Sequence, residues 1–302
     1  MKDSRLVGIF PALLTAFDSE GVDTAKVQAL SSRLASKGVK GLYVGGSSGE
    51  MVLMSAEERM ALLEAVCTAV GGSCTVIAHV GAISLRDTLT LARHAARCGV
   101  QALSSVTPLY YKYSFREVKG YYEALAGETG LPVIIYNIPA LTGMSLSAEQ
   151  LGELLQIPHV GGMKFTSSDF FLLERLRAGF PDKVFFNGSD EMLLSGLAAG
   201  ADGGIGTTYN FMPEKFLRIY HLYRQGAMAE ALEVQSEANR VIRVLLKHGV
   251  LPASKELLRL GGLDYGVCRA PFLPLESPAL EELRTVAESL FSGGRGEGGS
   301  WH

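Results

Sequence analysis

An excess of either charge is missing from this sequence, and so are most of the motifs that advertise a bound cofactor. Lys and Arg total 28 against 31 Asp and Glu, with no long basic or acidic block. That balance excludes a nucleic-acid or anionic-membrane footprint, and the expected partner is a small molecule. Only four cysteines occur in 302 residues, Cys67, Cys74, Cys98 and Cys268, and none forms a C-x-x-C pair. Their aliphatic neighbours suit reduced, buried thiols and a cytoplasmic location. No uninterrupted apolar run reaches the ~20 residues that span a bilayer, and "MKDSRLVGIFPALLTAF" at the N-terminus has no signal-peptide cleavage pattern, so no membrane association is expected. The six histidines lack H-E-x-x-H or comparable spacing, and the carboxylates form no dense cluster, so no metal is expected. A Walker-type loop is excluded by the absence of G-K-[ST], and "GGSSGE" departs from the G-x-S-x-G elbow of Ser-His-Asp hydrolases.

What is present is a chain 47% hydrophobic and 20% charged, enough for one large globular core. Eight short runs rich in Val, Ile and Gly end in small or polar residues: "VGIFPALLT", "GLYVGG", "TVIAHVG", "ALSSVTP", "PVIIYNIP", "VGGMKFT", "KVFFNGSD" and "DGGIGTT". They alternate with stretches of 3.6-residue apolar period. Ser55 with Glu58, Ser114 with Glu117 and Ser147 with Gln150 match the capping box that satisfies the first free amides of a helix. Gly38 and Gly99 end the helical patterns that begin near Asp23 and Ser84, because glycine enters the left-handed C-cap conformation without a Cβ clash. The alternation predicts an α/β fold, a (β/α)8 TIM barrel over residues 1–212. A doubly wound open sheet is the alternative, but "FPALLTAFD" lacks the glycine-rich turn such a sheet usually carries after its first strand. Only helical patterns follow, predicting a C-terminal helical extension over 213–291, and the glycine-rich 292–302 reads as a disordered tail.

In a barrel the C-terminal strand ends surround one pocket, so the polar residues there form a parts list. It contains Ser47, Ser48, Glu50, His79, Tyr110, Tyr136, Asn137, Lys164, Thr166, Asn187, Gly188, Asp190, Glu191 and Thr207. Lys164 is the one charge between His159 and Ser168 in "HVGGMKFTSSD". A lysine there is ordinarily a snorkelling side chain or half of a buried ion pair. The functional reading is a Schiff-base nucleophile, since burial disfavours an ammonium and leaves amine free to attack a ketone. The glycines before it leave room for a close substrate approach. Tyr136 is either a core aromatic or, beside an imine-forming lysine, a proton shuttle. The "VGGSSGE" turn is commonly only structural, but its hydroxyls and amides can also receive a carboxylate.

Taken together, "GGSSGE", "TPLYY", "YNIPALTG", "GGMKFTSS", "NGSDE" and "GGIGTTYN" resemble, in order and spacing, the pyruvate-dependent class I aldolase family of N-acetylneuraminate lyase and dihydrodipicolinate synthase. The resemblance runs from Leu6 to about Pro274. It implies that Lys164 forms the pyruvate imine, that Tyr136 relays protons and that the Ser47–Ser48 turn binds the pyruvyl carboxylate. It also implies a homotetramer, in which a tyrosine matching Tyr110 reaches a neighbouring subunit's site. Synthases of the family typically place an arginine where this chain has Leu141, which cannot clamp a second carboxylate. "NGSDE" resembles the lyase instead, implying that Gly188, Asp190 and Glu191, with Thr166 and Thr207, hold a polyhydroxyl tail. Reversible cleavage of N-acetylneuraminate is therefore the implied activity, with no cofactor. Another 2-keto-3-deoxy sugar acid aldolase, a synthase-like enzyme or a noncatalytic sensor of pyruvate or sialic acid are the alternatives.

Overall fold

The structure is a computed structural model and describes residues 2–292. Strands and helices alternate: β1 (Gly8–Pro11), α1 (Thr24–Ser36), β2 (Gly41–Val44), α2 (Ala56–Val70), β3 (Thr75–His79), α3 (Leu85–Arg97), β4 (Ala102–Val106), α4 (Phe115–Thr129) and β5 (Val133–Asn137). A short α5 (Pro139–Thr142) precedes α6 (Ala148–Leu155), β6 (Val160–Phe165), α7 (Phe170–Gly179), β7 (Val184–Asn187), α8 (Leu193–Ala198) and β8 (Gly203–Gly206). The three expected capping boxes form, at Ser55, Ser114 and Ser147. Gly38 and Gly99 take φ of +81° and +77° just past α1 and α3.

All eight strands are parallel, each beside the next in sequence, and β8 pairs with β1. The remaining seam closes through an Ala12–Tyr43 bridge and through amides of Lys40 and Leu13 that donate to Ile9 and Tyr43 carbonyls at 2.9 and 2.8 Å. This is the TIM barrel that the element order predicts. Two separate apolar groups explain why its strands lack clean alternation. Ile134 and Tyr136 of β5 face inward with Phe10, Tyr43, Ile77, Phe186 and Ile205, while Val133 and Ile135 pack outward beneath the helices. Both faces of each strand are buried, so apolar residues occupy both phases of the period-two pattern.

The glycines before Lys164 have a different use from the one anticipated. A Cβ on Gly162 would sit 1.9 Å from the Val184 carbonyl oxygen, and one on Gly161 would sit 2.9 Å from Pro132 Cβ. They admit the β7 backbone and a loop proline rather than a substrate.

After β8, α9 (Pro213–Arg224) lies against β1 and α8, and α10 (Met228–His248) packs over α8 and α9. Both α11 (Val250–Leu260) and α12 (Ser277–Ser292) then stack on α10. The chain between them returns to the barrel: the Tyr265 hydroxyl donates to the Leu14 carbonyl at 3.2 Å. Among the described residues, no helix is long and apolar enough to cross a membrane. Ser292, the first residue of the predicted tail, ends α12, and the rest of that tail, 293–302, lies outside the described residues.

Candidate active site

Period two along β6 turns Met163 and Phe165 out toward the helices and Lys164 into the barrel. The β5–β6 register sets Tyr136 opposite Lys164, so the strand pairing itself makes them neighbours. Lys164 Nζ lies 4.0 Å from the Tyr136 ring centroid and 4.8 Å from that of Tyr43. The lysine is 4% exposed. Its charge acts on Asp190 and His79, but no ion pair to it exists among the described residues. Here the bland reading of Lys164 as half of a buried ion pair fails.

At the end of β2, Ser47–Gly49 form a single 3-10 turn. Ser48 Oγ and Thr207 Oγ1 are 2.6 Å apart, and Thr15 Oγ1 donates to the Gly49 carbonyl at 2.9 Å, so the ends of three strands hold the turn. Gly188, after β7, is where absence of a side chain matters. A Cβ there would meet Thr166 Oγ1 at 1.9 Å and Lys164 Cε at 3.2 Å. Thr166 Oγ1 is buried without a hydrogen-bond partner, an unused polar group facing the same space.

Ser47, Ser48, Tyr136, Lys164, Thr166, Gly188 and Thr207 line one cavity of about 540 Å³. Leu53, Leu109, Ile138, Leu141, Leu251 and Phe272 supply apolar wall. Three residues of the predicted site lie elsewhere. Asp190 is buried outside the lining, where its Oδ2 accepts from the Thr208 amide and hydroxyl, both at 2.7 Å. Burial pushes its carboxyl up to about 6, against the two hydrogen bonds that oppose the rise. Glu191 is exposed, and its carbonyl accepts from Asn239. Tyr110 is 88% exposed at φ +79°, edge-on to Tyr111. His79 packs beside the rings of both Tyr43 and Tyr136, which also touch each other, and its Nε2 accepts from the Val106 amide at 3.2 Å. Burial first, then the charges of Arg59 and Lys164, hold it well below the usual imidazole range, so it is a neutral packing partner.

Sequence reasoning missed Tyr43, whose hydroxyl is 3.0 Å from Ser104 Oγ and whose ring flanks the lysine. Its inward phase in β2 was the available signal. For Leu251 and Phe272, which arrive from the helical extension, no local signal existed.

The lining combines a lysine that is in no ion pair among the described residues, an adjacent phenol and a hydroxyl-bearing turn, and its one carboxylate, Glu50, is paired with Lys255 instead. This suits imine formation with a keto acid. Independent comparisons agree. The Dihydrodipicolinate synthetase family matches residues 5–290. The N-acetylneuraminate lyase of Rhizobium meliloti (strain 1021) is 47% identical over 289 residues, covering 95% of this chain and 96% of that protein. The Ruminococcus gnavus sialic acid aldolase, solved as a catalytic lysine mutant, superposes with a TM-score of 0.93 at 32% identity over 97% of this chain and 98% of that one. The Fusobacterium nucleatum N-acetylneuraminate lyase complexed with pyruvate gives 0.91 at 37% identity over 96% and 99%. Sequence, barrel and relatives converge: the chain belongs to the Dihydrodipicolinate synthetase family, as a lyase of the class I aldolase type.

Proposed function

We propose that the chain cleaves N-acetylneuraminate reversibly to N-acetylmannosamine and pyruvate through an imine on Lys164. The observation that carries this reading is Lys164 itself, buried at the cavity with no carboxylate partner among the described residues and with the Tyr136 ring 4.0 Å away. The amine adds to the C2 ketone of the open-chain acid, and loss of water leaves a protonated imine. Tyr136 relays the C4 hydroxyl proton as the C3–C4 bond breaks, and the bonding electrons enter the imine to form an enamine. N-acetylmannosamine departs, C3 is protonated, and hydrolysis releases pyruvate. The lysine supplies the electron sink, so the reading needs no cofactor.

The Ser47–Ser48 turn receives the carboxylate, supported by the hydroxyls that line the cavity there. Thr166, Gly188 and Thr207 hold the polyhydroxyl tail. Asp190 aids from behind by fixing Thr208, and Glu191 from the rim. Leu141 lines the cavity at 68% exposure and offers no cation for a second carboxylate, which supports a sugar acid over an amino semialdehyde. The lyase and aldolase relatives support the same choice. A homotetramer is part of this reading, with Tyr110 reaching a neighbouring subunit. The exposed apolar side chains Val52, Ile83, Tyr110 and Tyr111 support it. The four free cysteines support a cytoplasmic location.

The test is to incubate the protein with pyruvate, reduce with borohydride and locate the adduct by peptide mass, then assay N-acetylneuraminate cleavage. An adduct on Lys164 with cleavage is the expected result. Absence of the adduct sinks the imine; an adduct with turnover of simpler keto acids alone rejects only the substrate.

A further inference from the structure

Glu50 follows the Ser47–Gly49 turn directly and adopts a left-handed backbone at φ +62°, a conformation that strains a non-glycine residue. Its side chain is fully buried. Oε1 is 2.7 Å from Lys255 Nζ, whose side chain is 1% exposed, and Oε2 accepts from the Arg269 amide at 2.8 Å. Lys255 Nζ also donates to the Val267 carbonyl at 2.9 Å and lies 4.7 Å from the Phe17 ring centroid. The Arg269 guanidinium donates to the Leu53 carbonyl at 2.9 Å and to Glu58 in the α2 capping box. One segment of the extension, Lys255 to Arg269, thus grips the chain at Glu50, Leu53 and Glu58, immediately downstream of the turn.

A buried ion pair is poor insurance for stability, because desolvation of both charges cancels most of their attraction. What such a pair does supply is geometry: Glu50 Oε1 has no hydrogen bond and is held by its charge contact with Lys255 alone, while Oε2 and the ammonium are tied to the Arg269 amide and the Val267 carbonyl, and together these contacts define one arrangement. Thr15 and Thr207 hold the turn from the barrel side. Glu50 is its anchor on the side of the extension, and Leu251 and Phe272 of the extension line the same cavity.

We infer that the Glu50–Lys255 pair is a positioning device, through which the helical extension sets the geometry of the Ser47–Ser48 turn and its hold on the pyruvyl carboxylate. The inference rests on the imine reading of Lys164. Lys255 touches no substrate; it acts through Glu50. Binding and positioning are reciprocal, so pyruvate seated on the turn must tighten the extension in return.

The experiment measures the pyruvate concentration giving half-maximal borohydride-trapped adduct on Lys164, together with the thermal midpoint. The proteins are wild type, Lys255→Met and the double variant Glu50→Gln with Lys255→Met. The single variant strands a buried carboxylate and is expected to melt lower; the double variant removes both charges and is expected to melt near wild type. Both are expected to need about tenfold more pyruvate while still trapping fully at saturation, the mark of a displaced binding group with intact chemistry. A double variant that melts and traps like wild type would overturn the inference. Should neither variant fold, the wild type decides: reduction with pyruvate is expected to slow hydrogen exchange at the Arg269 amide, and unchanged exchange there overturns the proposal. Wild type that traps no pyruvate would overturn the imine reading, and this inference with it.

Discussion

Lys164 and Lys255 are both nearly inaccessible, at 4% and 1% exposure, yet their surroundings differ in kind. Lys255 meets a carboxylate oxygen at 2.7 Å and a carbonyl at 2.9 Å, leaving its ammonium engaged on several sides. Lys164 meets the faces of two tyrosine rings and an open cavity. Burial alone therefore does not mark a nucleophile. The contrast teaches that the partner set separates a structural lysine from a reactive one, and that a cavity must adjoin the amine for a ketone to reach it.

The sharpest way to break the comparison is to delete each lysine. Lys164→Ala is expected to abolish the pyruvate adduct and lower N-acetylneuraminate cleavage by about 10⁴-fold or more, because among the described residues no other amine lines the cavity. Lys255→Met is expected to keep the adduct at saturating pyruvate. Mass spectrometry of the reduced proteins checks both, and an undiminished adduct in Lys164→Ala would erase the distinction.

The two tyrosines beside Lys164 extend the contrast at a smaller scale. Tyr136→Phe keeps the ring and loses the hydroxyl, so kcat for cleavage is expected to fall about 10² to 10³-fold with little change in the trapped adduct. Tyr43→Phe loses only the contact with Ser104 and is expected to change kcat by less than about tenfold. Equal effects from the two substitutions would deny Tyr136 its relay.

Buried carboxylates divide in the same way as the lysines. Glu50 faces a lysine, whereas the Asp190 carboxyl accepts, among the described residues, only from the amide and hydroxyl of Thr208. A carboxyl whose folded value of about 6 exceeds its unfolded 3.8 holds its proton more tightly when folded. Its contribution to stability is therefore present below pH ~4 and is lost as pH rises through about 6. The two-unit gap corresponds to about 3 kcal/mol. Denaturant unfolding of Asp190→Asn at pH 4 and pH 7.5 is expected to show a correspondingly smaller loss between those values than wild type. Identical pH dependence in the two proteins would mean that Asp190 is not the group responsible.

The smallest expected effect tests the turn that Lys255 indirectly serves. Ser48→Ala removes the 2.6 Å contact with Thr207 and is expected to raise the pyruvate requirement about three- to tenfold. A larger effect than that of Lys255→Met would rank the barrel-side anchor above the extension-side one.

Most of the barrel was legible because its signals are local. Ser55, Ser114 and Ser147 each bond an amide three residues on, so the sequence carries the whole device. Gly38 and Gly99 stop helices through their own backbone freedom. Lys164 and Tyr136 were readable as a pair because each sits in a recognisable short motif, and the strand order brings them together. Gly162 was misjudged because its neighbour, the Val184 backbone, lies on another strand. Asp190 and Glu191 were grouped as one sugar-binding pair, yet consecutive residues in this segment diverge, one buried against Thr208 and one in solvent.

By itself, then, the sequence determined the alternation of strands and helices, their ends, and the presence of a lone lysine in an apolar strand with a tyrosine one strand earlier. Those properties depend on residues a few positions apart, where backbone geometry is set by local sterics and hydrogen bonds. Only the tertiary structure decided that Lys164 faces a cavity and two rings while Lys255 is neutralised by Glu50, 205 positions away in the chain. The reason is that a charge's partners are fixed by closure of the barrel and return of the extension to its mouth, and neither contact leaves a trace in the residues alongside it.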